Sequence, residues 1–382
     1  MRFTFMSLAA ATIVVASAGA QAQTWGIVIN EATTTAALGV SNSNTNLNAL
    51  GGNGAGLFVA GNVTGTSRTI VAFNANATTA SVITTDQQLV NAIAAVNGAS
   101  VDPAASAVRF QGIGINNDGR IICYLDGSAM AAALLAIDPL PPHAINVLST
   151  AVGGQTTAPV EGGNGFVLRG NTAYMLVDGG FSAAEDAVIA VDTSTIVNTG
   201  LAPVTTVVGQ AALLAATGDT NTINSLNDIS FINATEAVVI NSGATASNDN
   251  VIKVNVSNGT ASLLVAATDI EADLGATDVG YSAVEVDNNG NIYLANMFGA
   301  GATDDSIITL TNITPPNATA TAKLETTLVT ELGGTDFFLG ADGFHFEPVT
   351  GRLYGVSDGV GNSGLIRSQI NPAASVREWQ KY

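Results

Sequence analysis

One cysteine, two histidines and eleven basic residues in 382 leave few of the side chains on which many functions depend. With a single thiol no internal disulfide can form. Cys123 lies in the apolar run Ile121-Ile122-Cys123-Tyr124, which reads as a small buried hydrophobe rather than a nucleophile. The scarcity of His and Cys disfavours zinc and haem sites. The formal charge of −19 leaves too few cations to neutralise a phosphate backbone, which excludes nucleic acid and anionic lipid as partners. There is no Gly-x-Ser-x-Gly nucleophile elbow and no tandem Trp-Asp signature. Apart from the first residues, no stretch approaches the roughly 18 to 20 apolar residues of a membrane helix.

What is present begins with Arg2, an apolar stretch from Leu8 to Ala18, and the small residues Ala20-Gln21-Ala22. This order predicts a secretory signal over residues 1–22, with Gln23 as the mature terminus and no membrane insertion after cleavage. The expected location is exported, periplasmic or extracellular. Stability then rests on packing, which 47% hydrophobic residues allow.

Residues 23–382 are long enough for two domains, but internal repetition points to one. A short apolar strand ending in a polar residue, often Asp or Asn, recurs six times. It reads Ile70 to Asn74, Leu134 to Asp138, Val188 to Asp192, Val251 to Asn255, Ile307 to Thr311 and Leu365 to Gln369. Another apolar strand precedes each copy, commonly after a turn such as Asn117-Asp118-Gly119, Asn288-Asn289-Gly290 or Thr350-Gly351, whose glycines supply the positive φ of a hairpin. Ahead of these turns comes a strand of smaller residues: Gly112 to Ile115, Gly165 to Leu168, Ile229 to Phe231, Ala283 to Val286 and Gly343 to Phe346. A fourth strand follows, as in Thr205 to Val208 and Ala261 to Val265.

Four antiparallel strands at a repeat of about 59 residues describe the blades of an all-β, six-bladed β-propeller. Stacking blades round an axis buries both faces of each sheet, and closing the ring removes its free ends. A sandwich would not explain six similar units, and a β-helix would need a shorter period. Trp25 to Asn30 is expected to pair with the last blade and close the ring, with Val376 to Tyr382 the rival. Helices are expected from Asp86 to Val96, capped by Thr85, and from Gln210 to Ala216. Thr33 to Asn46 reads as an exposed connection.

Strand direction brings two sets of polar residues to one face. The first enters the inner strands: Gln111, Asn164, Asn227, Ser282 and Asp342, with Asn46 as a first member. The second ends the next strands: Asp126, Asp178, Asn241, Asn296 and Asp358. Inner strands surround the axis, so oxygen donors gather near the mouth of a central channel, a chemistry suited to calcium. The bland alternative is ordinary turn chemistry. His345, between Phe344 and Phe346 and close to Asp342, is the candidate for a general base. His143 follows Pro141-Pro142 in a loop.

Asn227-Asp228-Ile229, Asp342-Gly343-Phe344 and Glu347-Pro348-Val349-Thr350-Gly351-Arg352-Leu353-Tyr354 resemble motifs of the paraoxonase and gluconolactonase-like propellers. The resemblance implies a channel calcium held by Asn164, Asn227 and Asp342, with Gln111, Asp228 and Glu161 as second-tier ligands. Glu161 stands in for a first-blade Glu that this sequence lacks. It also implies hydrolysis of lactones or esters. Fold does not fix function. The leading expectation is therefore a binding module for a small molecule, glycan or protein at the channel mouth, with calcium as an accompanying ion. A calcium-dependent lactonase or esterase is the alternative. A self-assembling envelope or extracellular coat protein is the third reading, suggested by low charge density and the Ala, Thr, Asn and Gly bias.

Overall fold

In the computed structural model, the residues described are 24–38, 46–53, 58–63, 68–73, 80–97, 109–127, 130–150, 162–177, 186–218, 226–241, 249–296, 306–333, 339–348, 350–357 and 364–368. The expected signal segment, Glu161, Asp178, Asp358 and Val376 to Tyr382 lie outside them.

The fold is an all-β propeller of four-stranded antiparallel blades. Strand β1 (Trp25–Ile29) comes first in the chain but belongs to the last sheet. The first sheet is β2 (Asn46–Gly52), β3 (Phe58–Val63), β4 (Arg68–Phe73) and β5 (Ala80–Thr85). The second is β6 (Arg109–Ile115), β7 (Ile121–Gly127), β8 (Met130–Ile137) and β9 (Ile145–Ser149). The third is β10 (Gly162–Arg169), β11 (Thr172–Val177), β12 (Ala187–Asp192) and β13 (Thr205–Gly209). The fourth is β14 (Leu226–Phe231), β15 (Glu236–Asn241), β16 (Val251–Asn255) and β17 (Thr260–Val265). The fifth is β18 (Tyr281–Val286), β19 (Ile292–Asn296), β20 (Ser306–Thr314) and β21 (Asn317–Lys323). The sixth orders β22 (Leu339–Glu347), β23 (Arg352–Ser357), β24 (Gly364–Ser368) and then β1. Trp25 pairs with Ser368 and Ile29 with Leu365, so the sixth sheet joins opposite ends of the chain.

The burial pattern follows from sheets stacked on both faces. Middle strands are apolar at every step, as in Ile121 to Leu125 and Ala237 to Ile240, all fully buried. Outer strands alternate, as in β17, where Thr260 and Ser262 are exposed while Leu264 and Val265 are buried. Each hydrophobic cluster lies between two successive sheets. Ala49 and Ile70 of the first meet Ile113, Ile121 and Cys123 of the second. Val71 and Phe73 of the first meet Tyr354 and Val356 of the sixth. The inner strands β2, β6, β10, β14, β18 and β22 neighbour one another in that order, and β22 returns to β2.

Close approach of the inner strands explains some of their glycines. A Cβ on Gly51 would stand 2.5 Å from the Ile113 carbonyl oxygen and 2.7 Å from the Gly114 Cα, both backbone atoms of the next blade. The turn at Asn288-Asn289-Gly290 forms as its sequence suggests, with Gly290 at φ 83°. It is held by Asp287, whose Oδ1 accepts the N–H groups of Asn289 (2.8 Å) and Asn291 (2.9 Å).

Five helices fill the crossings among the described residues: α1 (Glu31–Leu38), α2 (Asp86–Asn97), α3 (Gln210–Thr217), α4 (Ala267–Leu274) and α5 (Glu325–Glu331). Each follows the outer strand of one sheet and lies against the outer strand of the next. The two expected helices are present. At α2 the Gln88 side chain reaches back to accept the Thr85 N–H at 3.0 Å, one half of a capping box. The stretch read as an exposed connection from Thr33 instead begins inside α1, where a Thr-rich segment takes helical form against β5.

Gly51→Ala is expected to lower stability by about 1–3 kcal/mol, because neither clashing backbone atom can rotate away. Denaturant unfolding of the variant beside the parent protein checks this.

Candidate functional site

At the entry to the inner strands one local device recurs. In β2, β6, β14 and β18 the register with the second strand slips by one residue at the same place. Leu226 pairs with Asn241 and Asp228 with Ile240, leaving Asn227 as the extra residue. Gln111 and Ser282 occupy that position in β6 and β18. In β2 the extra residue is Asn48, not Asn46, which pairs directly with Val63. Alignment on Asn46 was two residues out, since an inserted bulge residue leaves no mark in the apolar pattern. The register also breaks in β10 between Gly162 and Phe166 and in β22 between Leu339 and Phe344, the segments holding Asn164 and Asp342. Bulges disturb pairing and re-aim side chains. They also carry these residues inside the strands, which start earlier than the apolar pattern suggested.

The side chains of Asn164, Asp342, Asn48 and Asp126 lie outside what is described. Their strands are placed. β10 and β14 each bring residues within 8 Å, Cα to Cα, of β22, although neither is its neighbour in the ring. The three strands bearing Asn164, Asn227 and Asp342 thus approach one another across the axis.

The described members divide by what they bond. Asn227, 5% exposed, donates through Nδ2 to the Tyr281 carbonyl at 2.6 Å, tying its bulge to the next inner strand. Gln111, 3% exposed, has a buried Nε2 with no hydrogen-bond partner. Ser282 is buried, with Oγ 3.5 Å from the Ala295 carbonyl. Among the residues ending the second strands, Asn241 Oδ1 accepts the Asn250 N–H at 2.9 Å and Asn296 Oδ1 accepts the Gly280 N–H at 2.8 Å. Those two amides fasten loops, the turn chemistry weighed above.

Asp228 has a structural task. Its Oδ1 accepts the Ile229 N–H and its Oδ2 the Val284 N–H, both at 2.8 Å, and the Phe166 N–H also bonds to it. One carboxylate therefore links β14 to the inner strands on either side. Glu285, which sequence reasoning missed, repeats the arrangement one blade on. Its Oε1 accepts the Ser230 hydroxyl at 2.6 Å and its Oε2 accepts the Phe346 N–H at 3.2 Å. The one available signal was an acid inside the apolar run Ala283-Val284-Glu285-Val286. Burial pushes the Asp228 carboxyl well above the usual carboxylate range against the pull of its N–H donors, with Glu285 adding repulsion. Burial raises Glu285 too, while the Ser230 hydroxyl and the Val286 and Phe346 N–H groups oppose it.

His345 sits in β22 opposite Tyr354, and burial depresses its imidazole to about 4, so it is neutral near pH 7. The Ser230 hydroxyl faces Glu285 rather than a histidine. Cys123 is fully buried in the core between the first and second sheets, and burial pushes its thiol up, as expected of a packing residue. Among the described residues no three His, Cys, Asp or Glu side chains surround a common point. No described helix is long and apolar enough to cross a membrane.

No family model matches the chain, and no curated protein matches it. Solved structures do. A luciferin-regenerating enzyme superposes with a TM-score of 0.52 at 13% identity, covering 85% of this chain and 92% of that one. The extracellular domain of a protein described as a hybrid two-component system of B. thetaiotaomicron superposes at 0.50 and 11% identity, covering 89% of this chain and 42% of that one. The PQQ-bound aldose sugar dehydrogenase of Streptomyces coelicolor reaches 0.48 at 10% identity, covering 86% and 96%. At such identities what is shared is the fold.

Two consequences can be measured. Asp228→Ala strands the buried Val284 N–H and is expected to cost about 1–3 kcal/mol. A buried acid whose folded pKa is raised stabilises fully below its unfolded value, and that contribution is lost as pH rises. The stability advantage of the parent protein over Glu285→Gln is therefore expected to be largest below pH 4.5, the ordinary Glu value, and to shrink towards pH 8. Melting curves of both proteins across that range check the sign.

Proposed function

We propose that the protein is an exported six-bladed propeller that binds a small molecule, glycan or protein segment at its channel mouth, with calcium as an accompanying ion. The observation that carries this reading is the recurrent bulge, which puts Asn48, Gln111, Asn227 and Ser282 at one level of neighbouring inner strands. A rigid ring presenting amides and hydroxyls at a shared level, with connecting loops around them, is a recognition platform. Gln111 adds a buried donor that has no hydrogen-bond partner among the described residues. A ligand carbonyl or hydroxyl oxygen would satisfy it.

Asn164, Asn227 and Asp342 would hold the calcium, a donor set of hard oxygens that suits this ion. Asp228 fits less well, since backbone N–H groups engage both its oxygens. Bound there, the ion would supply charge to orient a ligand oxygen or, in the alternative reading as a lactonase or esterase, to polarise a carbonyl. The part of the chain's own residues is to shape and dry the mouth: Asn227 fixes the fourth blade to the fifth, and Asp228 and Glu285 hold the strands below it at constant spacing.

Calorimetric titration of calcium into the protein is expected to give a saturable heat and a higher melting temperature, both lost in Asp342→Ala. The absence of both in the parent protein would remove the ion from the reading. Turnover on a panel of lactones and aryl esters, abolished by Asn227→Ala and Asp342→Ala, would instead favour the hydrolase.

A further inference from the structure

Two inner strands depart further from the bulge pattern at the mouth. In β2, β6, β14 and β18 a single residue is expelled between consecutive pairs. In β10 three residues, 163–165, lie between the pairs Gly162–Val177 and Phe166–Met175, where β11 supplies one. In β22 four residues, 340–343, lie between Leu339–Ser357 and Phe344–Gly355, where β23 again supplies one. β10 and β22 are third and sixth in the ring, so they face each other across the axis, and their residues come within 8 Å, Cα to Cα. The two enlarged bulges thus lie on one diameter of the mouth. They divide its expelled residues into Asn48 and Gln111 on one side and Asn227 and Ser282 on the other.

The amides on the two sides differ in what they find. Asn227 Nδ2 donates to the carbonyl of Tyr281, the residue just before the bulge of the next inner strand. Gln111 holds the same bulge position in β6, and its next inner strand is β10. There the residue before the bulge is Gly162, and three residues, not one, separate it from the regular strand. Gln111 Nε2 makes no bond of the Asn227 kind; it is buried without a hydrogen-bond partner among the described residues. Just below the bulge the strands close up. A Cβ on Gly112 would stand 2.1 Å from the Phe166 Cβ, and one on Gly165 would stand 2.7 Å from the Asp228 Cα. The orphaned donor therefore sits directly above a tight contact with Phe166, beside the stretch where the neighbouring strand leaves its regular course.

We propose that the ligand is seated between the second and third blades, that Gln111 is its specificity-determining contact, and that it is a neutral saccharide. This rests on the reading of the mouth as a binding site and says which part of it binds, and what. A buried N–H without a partner is a cost to the scaffold, and a ligand oxygen removes it. That oxygen must accept, as a hydroxyl or carbonyl does. Charge narrows the class: thirty acidic against eleven basic residues repel carboxylates and phosphates, and the expelled residues include no cation. Amides and a hydroxyl at one level match a ligand whose many hydroxyls both donate and accept. The half-buried Phe166 beside Gln111 adds apolar surface to the same place.

Gln111→Met keeps the reach of the side chain and removes the amide, and it is read in two ways. Without ligand, the variant is expected to melt at or above the temperature of the parent protein, because an unsatisfied donor has gone. A lower melting temperature would show that Nε2 is bonded within the protein and would overturn the inference. For binding, the labelled full protein is applied to an array of neutral oligosaccharides, with sialylated and uronate-bearing counterparts and uncharged peptides alongside. Retention is expected on neutral saccharides and not on the acidic ones, and Gln111→Met should weaken it by about tenfold or more. Binding that Gln111→Met leaves unchanged but Asp342→Ala abolishes would overturn the placing at Gln111 and keep the mouth. Binding that survives both variants would overturn the mouth as well. Retention on peptides alone, or on no member of the array, would overturn the saccharide.

Discussion

Six inner strands must run side by side round an axis while each belongs to a sheet that turns away from its neighbours. Within a sheet the ladder satisfies the backbone, but between inner strands there is no ladder. Carboxylates supply part of the connection. Asp228 accepts N–H groups from both flanking inner strands, and Glu285 takes a hydroxyl from one side and an N–H from the other. Glycine does the complementary work by letting backbones approach, as Gly51 does against Ile113 and Gly114. Apolar packing between successive sheets gives the ring its bulk stability, while these few polar links fix the spacing of its centre.

The mouth inherits its form from that centre. Bulges appear where the inner strands begin, so the residues they expel from the ladder stand at a common level, and these are Asn, Gln and Ser. Some of the polar groups there are consumed by the scaffold: Asn227 reaches the neighbouring strand, and Asn241 and Asn296 hold loops. A collection of amides around an axis is thus not uniformly available to a ligand, and Gln111 differs from Asn227 although the two share a position.

Much of the architecture was legible in the sequence because propeller blades bury both faces. Continuous apolar strands such as Ile121 to Leu125, separated by Asn/Asp-Gly turns, announce themselves without any need to know which face is inward. The helix α2, twelve residues long, was legible through the Thr85 cap and the spacing of Leu89, Ile93 and Val96; α3 has no side-chain cap and was legible only as the apolar run Gln210 to Ala216. α1, α4 and α5 are seven or eight residues long, and α4 and α5 bury only Ala267, Ile270 and Leu328, so little periodicity marks them. The site was harder to read. A bulge shifts alignment without altering composition, which is why Asn46 was aligned where Asn48 belongs. Nothing in the string Asn227-Asp228-Ile229 says that one polar residue faces a neighbouring carbonyl and the next receives N–H groups from two other blades. Such partners lie more than fifty residues away in sequence.

The sixth sheet is assembled from both extremes of the described chain, with Trp25 bonded through its backbone N–H to Glu331, 306 positions later. Until β24 has been made, β1 has no edge to join, and the apolar faces of Leu47, Val71 and Phe73 have no sixth sheet to cover them. During synthesis the growing array is therefore an open arc with one sticky flank. Ring closure therefore waits on pairing between strands more than three hundred positions apart, the kind of non-local contact that slows folding. A cell that makes this protein must keep that flank covered until the last strand arrives.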